Sequence, residues 1–202
     1  MRWFASGRVA QAGPSLEGDG LLLRPPQPGD HAAWARLRGA SRTFLTPWEP
    51  LWPTDDLTAA SFRRRLVAYA EEAAKDEAHH FFIFEAGAQR LVGGLTLGDI
   101  KRGVSQTGTL GYWMGEAHAG KGNMTRAVRL VVSWGFQHLG LHRIEAACLL
   151  GNLASARLLE KNGFTYEGEA RGYLRINGAW QDHKLFALLA GDPVPPAALV
   201  RK

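Results

Sequence analysis

The sequence predicts a single α/β domain: a mixed, mainly antiparallel twisted sheet of about seven strands flanked by about four helices. Three observations lead there. Short β-rich runs bounded by Gly, Pro, Asn and Asp alternate with longer amphipathic runs across 21–190. One of them, Thr107–Met114, passes through a glycine-punctuated turn straight into a helical pattern over 123–139. Between two late β-rich runs, Asn177-Gly178 is the best local hairpin signal in the chain.

Composition sets the bounds. At 202 residues, without repeats or a linker, the chain suits one domain with its own core. Hydrophobic content of 46% and charged content of 21% are ordinary for a soluble protein. No apolar run approaches the roughly 20 residues of a membrane span, and the start of the chain lacks the apolar core of a signal peptide. The single cysteine, Cys148, excludes an internal disulfide framework and reads as a small core residue. A cytoplasmic location is the expectation. The formal charge of +5 suits an anionic cofactor or a ribosomal surface, and equally serves as a solubility margin.

Taken in order, residues 1–20 are expected to be a flexible N-terminal arm, rich in Gly, Ala and Ser. Leu21–Arg24 is a short strand stopped by Pro25-Pro26. Asp30 N-caps a helix over 31–39 with Ala33, Trp34 and Leu37 as its apolar stripe. Across 44–53, Pro47, Pro50 and Pro53 exclude a regular helix, and Phe44, Trp48 and Trp52 suit a lid or pocket wall. A second helix over 56–75 carries Phe62, Leu66, Tyr69 and Ala73 at helical spacing. Residues 81–84 and 91–97 form an antiparallel hairpin around 85–89. After the strand Thr107–Met114, the helix over 123–139 presents Val128, Val131, Val132 and Phe136 to the core. A strand at 144–149 leads to a helix at 152–162 with Gly163 in the C′ position. The final hairpin joins 164–176 to 180–189, and 191–202, with three further prolines, is a C-terminal tail.

The amides in a helix's first turn lack helical partners, and the dipole there favours negative charge. A strand that delivers Gly120 and Gly122 to a helix start is therefore a device for holding an anion. Residues 115–122 come within one position of the P-loop pattern GxxxxGK[ST]. However, Gly122 replaces the magnesium-ligating hydroxyl, and no acidic-ended strand supplies a second metal partner. The run Ala117-His118-Ala119-Gly120-Lys121-Gly122 also resembles the pyrophosphate loop Q/R-x-x-G-x-G/A of the GNAT N-acetyltransferase family, with Ala117 where the family has Gln or Arg. The order of the following motifs carries the resemblance further: Arg143-Ile-Glu-Ala on a strand, Asn152 and Ser155 opening a helix, Asn162-Gly163-Phe164 closing it. Glu167-Gly168, Arg171, Asn177-Gly178 and Trp180-Gln-Asp-His183 are similar to the RimJ/RimL subgroup, which acetylates ribosomal-protein N-termini.

The resemblance implies a GNAT domain over 21–190 and an acetyl-CoA-dependent transferase without a metal, attacking directly through a ternary complex. It assigns the cofactor to the backbone of Tyr112, Trp113 and Met114, to the amides of Gly120, Lys121, Gly122, Asn123, Met124 and Thr125, and to Asn152 and Ser155. Asn152 also reads as an ordinary N-cap. Ser155 is the candidate proton donor to the departing thiolate, because Leu159 stands where many relatives carry a tyrosine. Glu145 is the candidate base, or simply the partner of Arg143. Trp48 and Glu49 of the proline-rich loop and Tyr173 of the hairpin are the candidate substrate contacts; Asp182 and His183 read as structural. Neutralising an α-amine of pKa about 7.7–8.0 near pH 7.4 costs about half a kcal/mol, against about 4 kcal/mol for a lysine. A site with no evident base therefore favours a protein N-terminus. A small amine (aminoglycoside, amino acid or polyamine) and a CoA-binding sensor with little turnover stay open. Neither nucleic acid nor membrane is an expected partner, and the chain is expected to be a monomer or homodimer.

Overall fold

The structure is a computed structural model that describes residues 13–193. Among the described residues eight strands form one sheet in the order β1-β2-β3-β4-β5-β6-β8-β7. They are β1 (Leu16–Gly18), β2 (Leu21–Arg24), β3 (His79–Glu85), β4 (Arg90–Lys101), β5 (Thr107–Met114), β6 (Arg143–Leu149), β7 (Thr165–Ile176) and β8 (Ala179–Leu189). Every pairing is antiparallel except β5 with β6. That parallel pair is joined through α4 (Asn123–Gln137), as a parallel connection requires a crossover. The other helices are α1 (His31–Ala40), α2 (Arg42–Leu45), α3 (Ala59–Ala74) and α5 (Leu153–Lys161).

Both faces of the sheet are covered, and strand alternation decides what lies on each. Phe81 and Ile83 of β3 join Leu95, Leu97 and the Val128–Val131–Val132 face of α4 in the larger core. Phe82 and Phe84 point the other way, into a smaller aromatic cluster with Trp34 of α1 and Phe62 of α3. Hydrophobic residues on both sides of β3 are therefore buried.

Four local expectations need correction. Within the arm expected over 1–20, Leu16–Gly18 is a strand pairing with β2, and Leu16 is buried because its side chain reaches the larger core; residues 1–12 lie outside the described ones. Asp30 stands at the N-cap position of α1, as expected, but its side chain makes no capping bond to that helix. Its carboxylate accepts from the Gln27 amide at 2.7 Å and grips both terminal nitrogens of Arg24, closing a 3₁₀ turn before the helix. One helical turn, α2, occupies the start of the stretch expected to be irregular; it ends at Leu45, before Pro47 enters a 3₁₀ turn at a position needing no N–H. The third helix starts at Ala59 rather than 56, because Thr58 caps it by accepting from the Ser61 amide, which leaves Asp56 free to pair with Arg65.

His79 gives the fold a pH dependence. Its ring lies edge-on to Trp134 at 4.8 Å, Nε2 is 3.7 Å from an Asp76 carboxylate oxygen, and among the described residues neither ring nitrogen has a hydrogen-bond partner. Burial pushes its pKa below the usual histidine value, with Asp76 opposing. The unfolded chain therefore takes up this proton first as pH falls through about 6.5, so the stability contribution is present above that value and lost as pH falls through the folded pKa. The melting temperature should be lower at pH 5.5 than at pH 7.5, and His79→Phe should narrow the gap. An unchanged gap in the variant would contradict this.

Candidate active site

The site begins where two neighbouring strands part. Strands β5 and β6 pair only from Thr107↔Arg143 to Leu110↔Ala146. Beyond Leu110, β5 stays with β4, opposing Tyr112 to Leu95, Trp113 to Gly94 and Met114 to Gly93. β6 stays instead with β8 through Ala147, Cys148 and Leu149. The backbone edge of 111–114 that faces β6 thus has no ladder partner, and a parted ladder of this kind offers donors and acceptors to a ligand. Glycines hold Trp113 flat against the sheet: a Cβ on Gly94 would lie 2.4 Å from the indole Nε1.

From the end of β5 the chain passes a 3₁₀ turn at Glu116–His118 and reaches α4 through Gly120 and Gly122, whose φ values are 74° and 77°. A side chain in this region of the map is strained, and a Cβ at either glycine would meet open space. The first helical bond runs from the Arg126 amide to the Gly122 carbonyl, and no side chain caps the helix. The amides before Arg126 therefore have no helical acceptor. Side chains of the first turn face inward: Asn123 is buried and donates to Glu85 at 3.3 Å, Arg126 donates to Asn123 Oδ1, and Met124 lies in the core. Thr125 is half-buried, and the exposed Lys121 ammonium donates to the Ala117 carbonyl at 2.7 Å. What remains at this helix start is an open surface of backbone amides.

Under the opening between β5 and β6 sits a polar cluster. The hydroxyls of Tyr112 and Ser155 are 2.7 Å apart, and Cys148 of β6 is buried. Ser155 is in place because Asn152 caps α5, its side-chain oxygen accepting from the Ser155 amide at 3.1 Å. Burial drives the Tyr112 hydroxyl far above the usual phenol range and pushes the Cys148 thiol up. Both groups stay protonated at neutral pH.

On the opposite face of the sheet Arg38 of α1 is the hub. Its guanidinium makes two bonds of 2.8 Å to Glu49 and lies 4.1 Å from the Trp52 ring and 5.0 Å from Trp113. Trp52 Nε1 donates to Glu49 at 2.7 Å. The Glu49 carbonyl accepts from the Asn177 amide at 2.9 Å, so the proline-rich loop is fastened to the tip of the β7–β8 hairpin. Trp48 and Tyr173 stand exposed on those two segments, Tyr173 edge-on to His183 at 5.6 Å. Glu145 accepts from Arg143 Nε at 2.7 Å, and Arg143 also binds Glu167. His183 and Asp182 are tied to backbone, to the Gln181 carbonyl and the Gly172 amide.

The structure brings the Tyr112 and Ser155 hydroxyls together, with Asn152 capping the helix that carries Ser155, while Glu145 pairs across the ladder with Thr109 and Glu49 bonds the Arg38 that lies over Trp113. Reasoning from sequence missed the Tyr112 hydroxyl, because that strand entered the reading for its backbone alone. It also missed Arg38, whose partners lie 11 to 75 positions away in the chain and leave no local signal. Among the described residues no cluster of His, Cys, Asp and Glu is suited to a metal ion, and no helix is long and apolar enough to cross a membrane.

Comparison with known proteins finds the acetyltransferase (GNAT) domain family matching residues 20–165. The probable N-acetyltransferase YjcK of Bacillus subtilis is 43% identical over 177 residues, 88% of this chain and 98% of that protein. The [ribosomal protein uS5]-alanine N-acetyltransferase of Escherichia coli is 32% identical over 89% of this chain and 93% of its own length. The solved structure of Mycobacterium smegmatis RimJ in complex with CoA-disulfide superposes with a TM-score of 0.81 at 32% identity, covering 88% of this chain and 86% of that one.

The Arg38 hub yields a stability test. Glu49→Gln leaves a mostly buried guanidinium with only Asp56, 4.0 Å away, as a charged partner. The loss should be about 1–3 kcal/mol, a drop of several degrees in melting temperature. A variant that melts with the parent would show that the ion pair contributes nothing.

Proposed function

The chain belongs to the GNAT acetyltransferase family, and we propose that its acceptor is the N-terminal α-amine of a protein such as a ribosomal protein. The enzyme is an acetyl-CoA-dependent N-acetyltransferase of the GNAT type. The observation that carries the acceptor is the near-full-length likeness to the uS5-alanine enzyme. The exposed Trp48 and Tyr173 on the joined loop and hairpin add to it, because they suit an extended peptide better than an enclosed small amine.

The donor's residues follow from the opening. Amides from Gly122 to Thr125 take the diphosphate, since Gly120 and Gly122 leave room and no side chain competes. The free edge of Tyr112, Trp113 and Met114 bonds the pantetheine arm and the carbonyl oxygen as it becomes an oxyanion. Acetyl-CoA supplies an activated thioester, whose acyl carbon accepts the amine and whose thiolate departs. Ser155 relays to that thiolate the proton that the amine nitrogen sheds as the amide forms, and the Tyr112 phenol, with which it shares a hydrogen bond, holds the Ser155 hydroxyl in place. Asn152 acts through Ser155, by fixing the start of α5. The engagement of Glu145 by Arg143 favours a structural role for that carboxylate.

Free CoA should appear when acetyl-CoA is mixed with short peptides beginning with Ala or Ser, and not with the same peptides already N-acetylated. Stimulation by polyamines or aminoglycosides alone would overturn the acceptor assignment. Ser155→Ala should lower kcat about 10²-fold with CoA affinity held within twofold. Gly122→Val should instead weaken CoA binding at least tenfold, since it forces a β-branched residue to positive φ and crowds the amides.

A further inference from the structure

His80 of β3 is polar, mostly buried, and outside the machinery above. Its ring stacks on Tyr69 of α3, centroids 3.6 Å apart at 16°. Nε2 lies 2.5 Å from a Glu72 carboxylate oxygen, and Nδ1 lies 2.9 Å from the Thr96 hydroxyl. With Glu72 ionised, Nε2 carries the hydrogen and donates, and Nδ1 accepts from Thr96. That is a carboxylate–imidazole–hydroxyl chain of the kind that activates a hydroxyl oxygen.

The chain ends at a useful place. Thr96 opposes Gly111 across the β4–β5 ladder, and Gly111 is the first residue after β5 parts from β6. Both line a cleft of about 590 Å³, together with Glu72, Glu77, Asp99 and Thr109. Among the described residues Lys101 is the one cationic side chain on that wall. The cleft opens on the face of the sheet that carries Trp113, opposite the Tyr112–Ser155 face, and Gly111 puts no side chain between it and the free edge.

We propose that this cleft receives the acceptor's ammonium group and that Thr96, His80 and Glu72 relay its proton away. The inference rests on the N-acetyltransferase reading above and adds the base it lacks. In the step, an ammonium N–H bond breaks and its proton passes to the Thr96 oxygen. The hydroxyl's own proton moves to His80 Nδ1, and the resulting imidazolium keeps its Nε2–H bond to Glu72. The neutral amine then attacks, and the imidazolium returns its proton to solvent through the cleft. Burial lowers the His80 pKa while Glu72 opposes, so the imidazole is neutral near pH 7 and ready to accept. Carboxylates of Glu72, Glu77 and Asp99 face the incoming cation, with Tyr69 packed on the ring itself. Amine and thiolate thereby approach the acyl group from opposite faces of the sheet.

The test is His80→Gln in the full chain, with an Ala-initiated peptide as acceptor. At pH 7 kcat should fall about tenfold, since only about a tenth of an α-amine of pKa about 7.7–8.0 is neutral there. At pH 9.5, where the peptide arrives neutral, the loss should shrink to a few-fold, while CoA affinity stays within twofold at both values. Thr96→Val should reproduce this pattern and Thr96→Ser restore it. Independently of turnover, the His80 imidazole resonances should move when the peptide is added to the CoA-bound protein. An equal loss at both pH values, no loss, or unmoved resonances would overturn the relay alone. A parent protein that acetylates no amine would overturn the functional reading and the relay with it.

Discussion

The parting of β5 from β6 after Leu110 is the constraint on which the rest of this molecule depends. A continuous sheet would satisfy the backbone of 111–114 internally and leave it nothing to offer a ligand. Here two flanking pairings hold the gap open: β4 retains one strand through Met114, and β8 retains the other through Leu149. Trp113 is pinned over Gly94 on one face, and Tyr112 is bonded to Ser155 on the other. The same strand runs on into the glycine turn, so the free edge and the uncapped helix start are joined by one short stretch of chain.

This arrangement separates charges by distance and by face. The proposed diphosphate end would rely on backbone dipoles, since the side chains of Asn123 and Arg126 are turned to structural work. The proposed acyl end has the half-buried Tyr112 and Ser155 hydroxyls on one side and a carboxylate-lined cleft on the other. Nothing in this scheme needs a strongly perturbed carboxylate base, consistent with an acceptor amine that is easily made neutral.

Much of this was legible in the chain. The strand–glycine–helix order located the turn into α4 because φ above zero at Gly120 and Gly122 is a local requirement, written in residue type. Asn177-Gly178 marked the last hairpin for the same reason, both residues having positive φ. The family resemblance read from motif order was correct. What escaped was set by distant partners. Asp30 stands at the cap position, but its side chain holds Arg24; Glu49 looked like a substrate contact and holds Arg38. Strand β1 was overlooked because three residues carry too little periodicity to be read. His80 lay in a run of apolar strand residues, and only the packing of α3 against β3 gave it Glu72 as a partner.

The account stands or falls on where the donor lies. A crystal structure of the chain with coenzyme A measures this directly. The diphosphate should rest on the amides of Gly122 to Thr125, with the pantetheine arm along Tyr112–Met114 and the sulfur toward Ser155. A ligand bound elsewhere, or an arm that leaves the edge of β5 untouched, would contradict it.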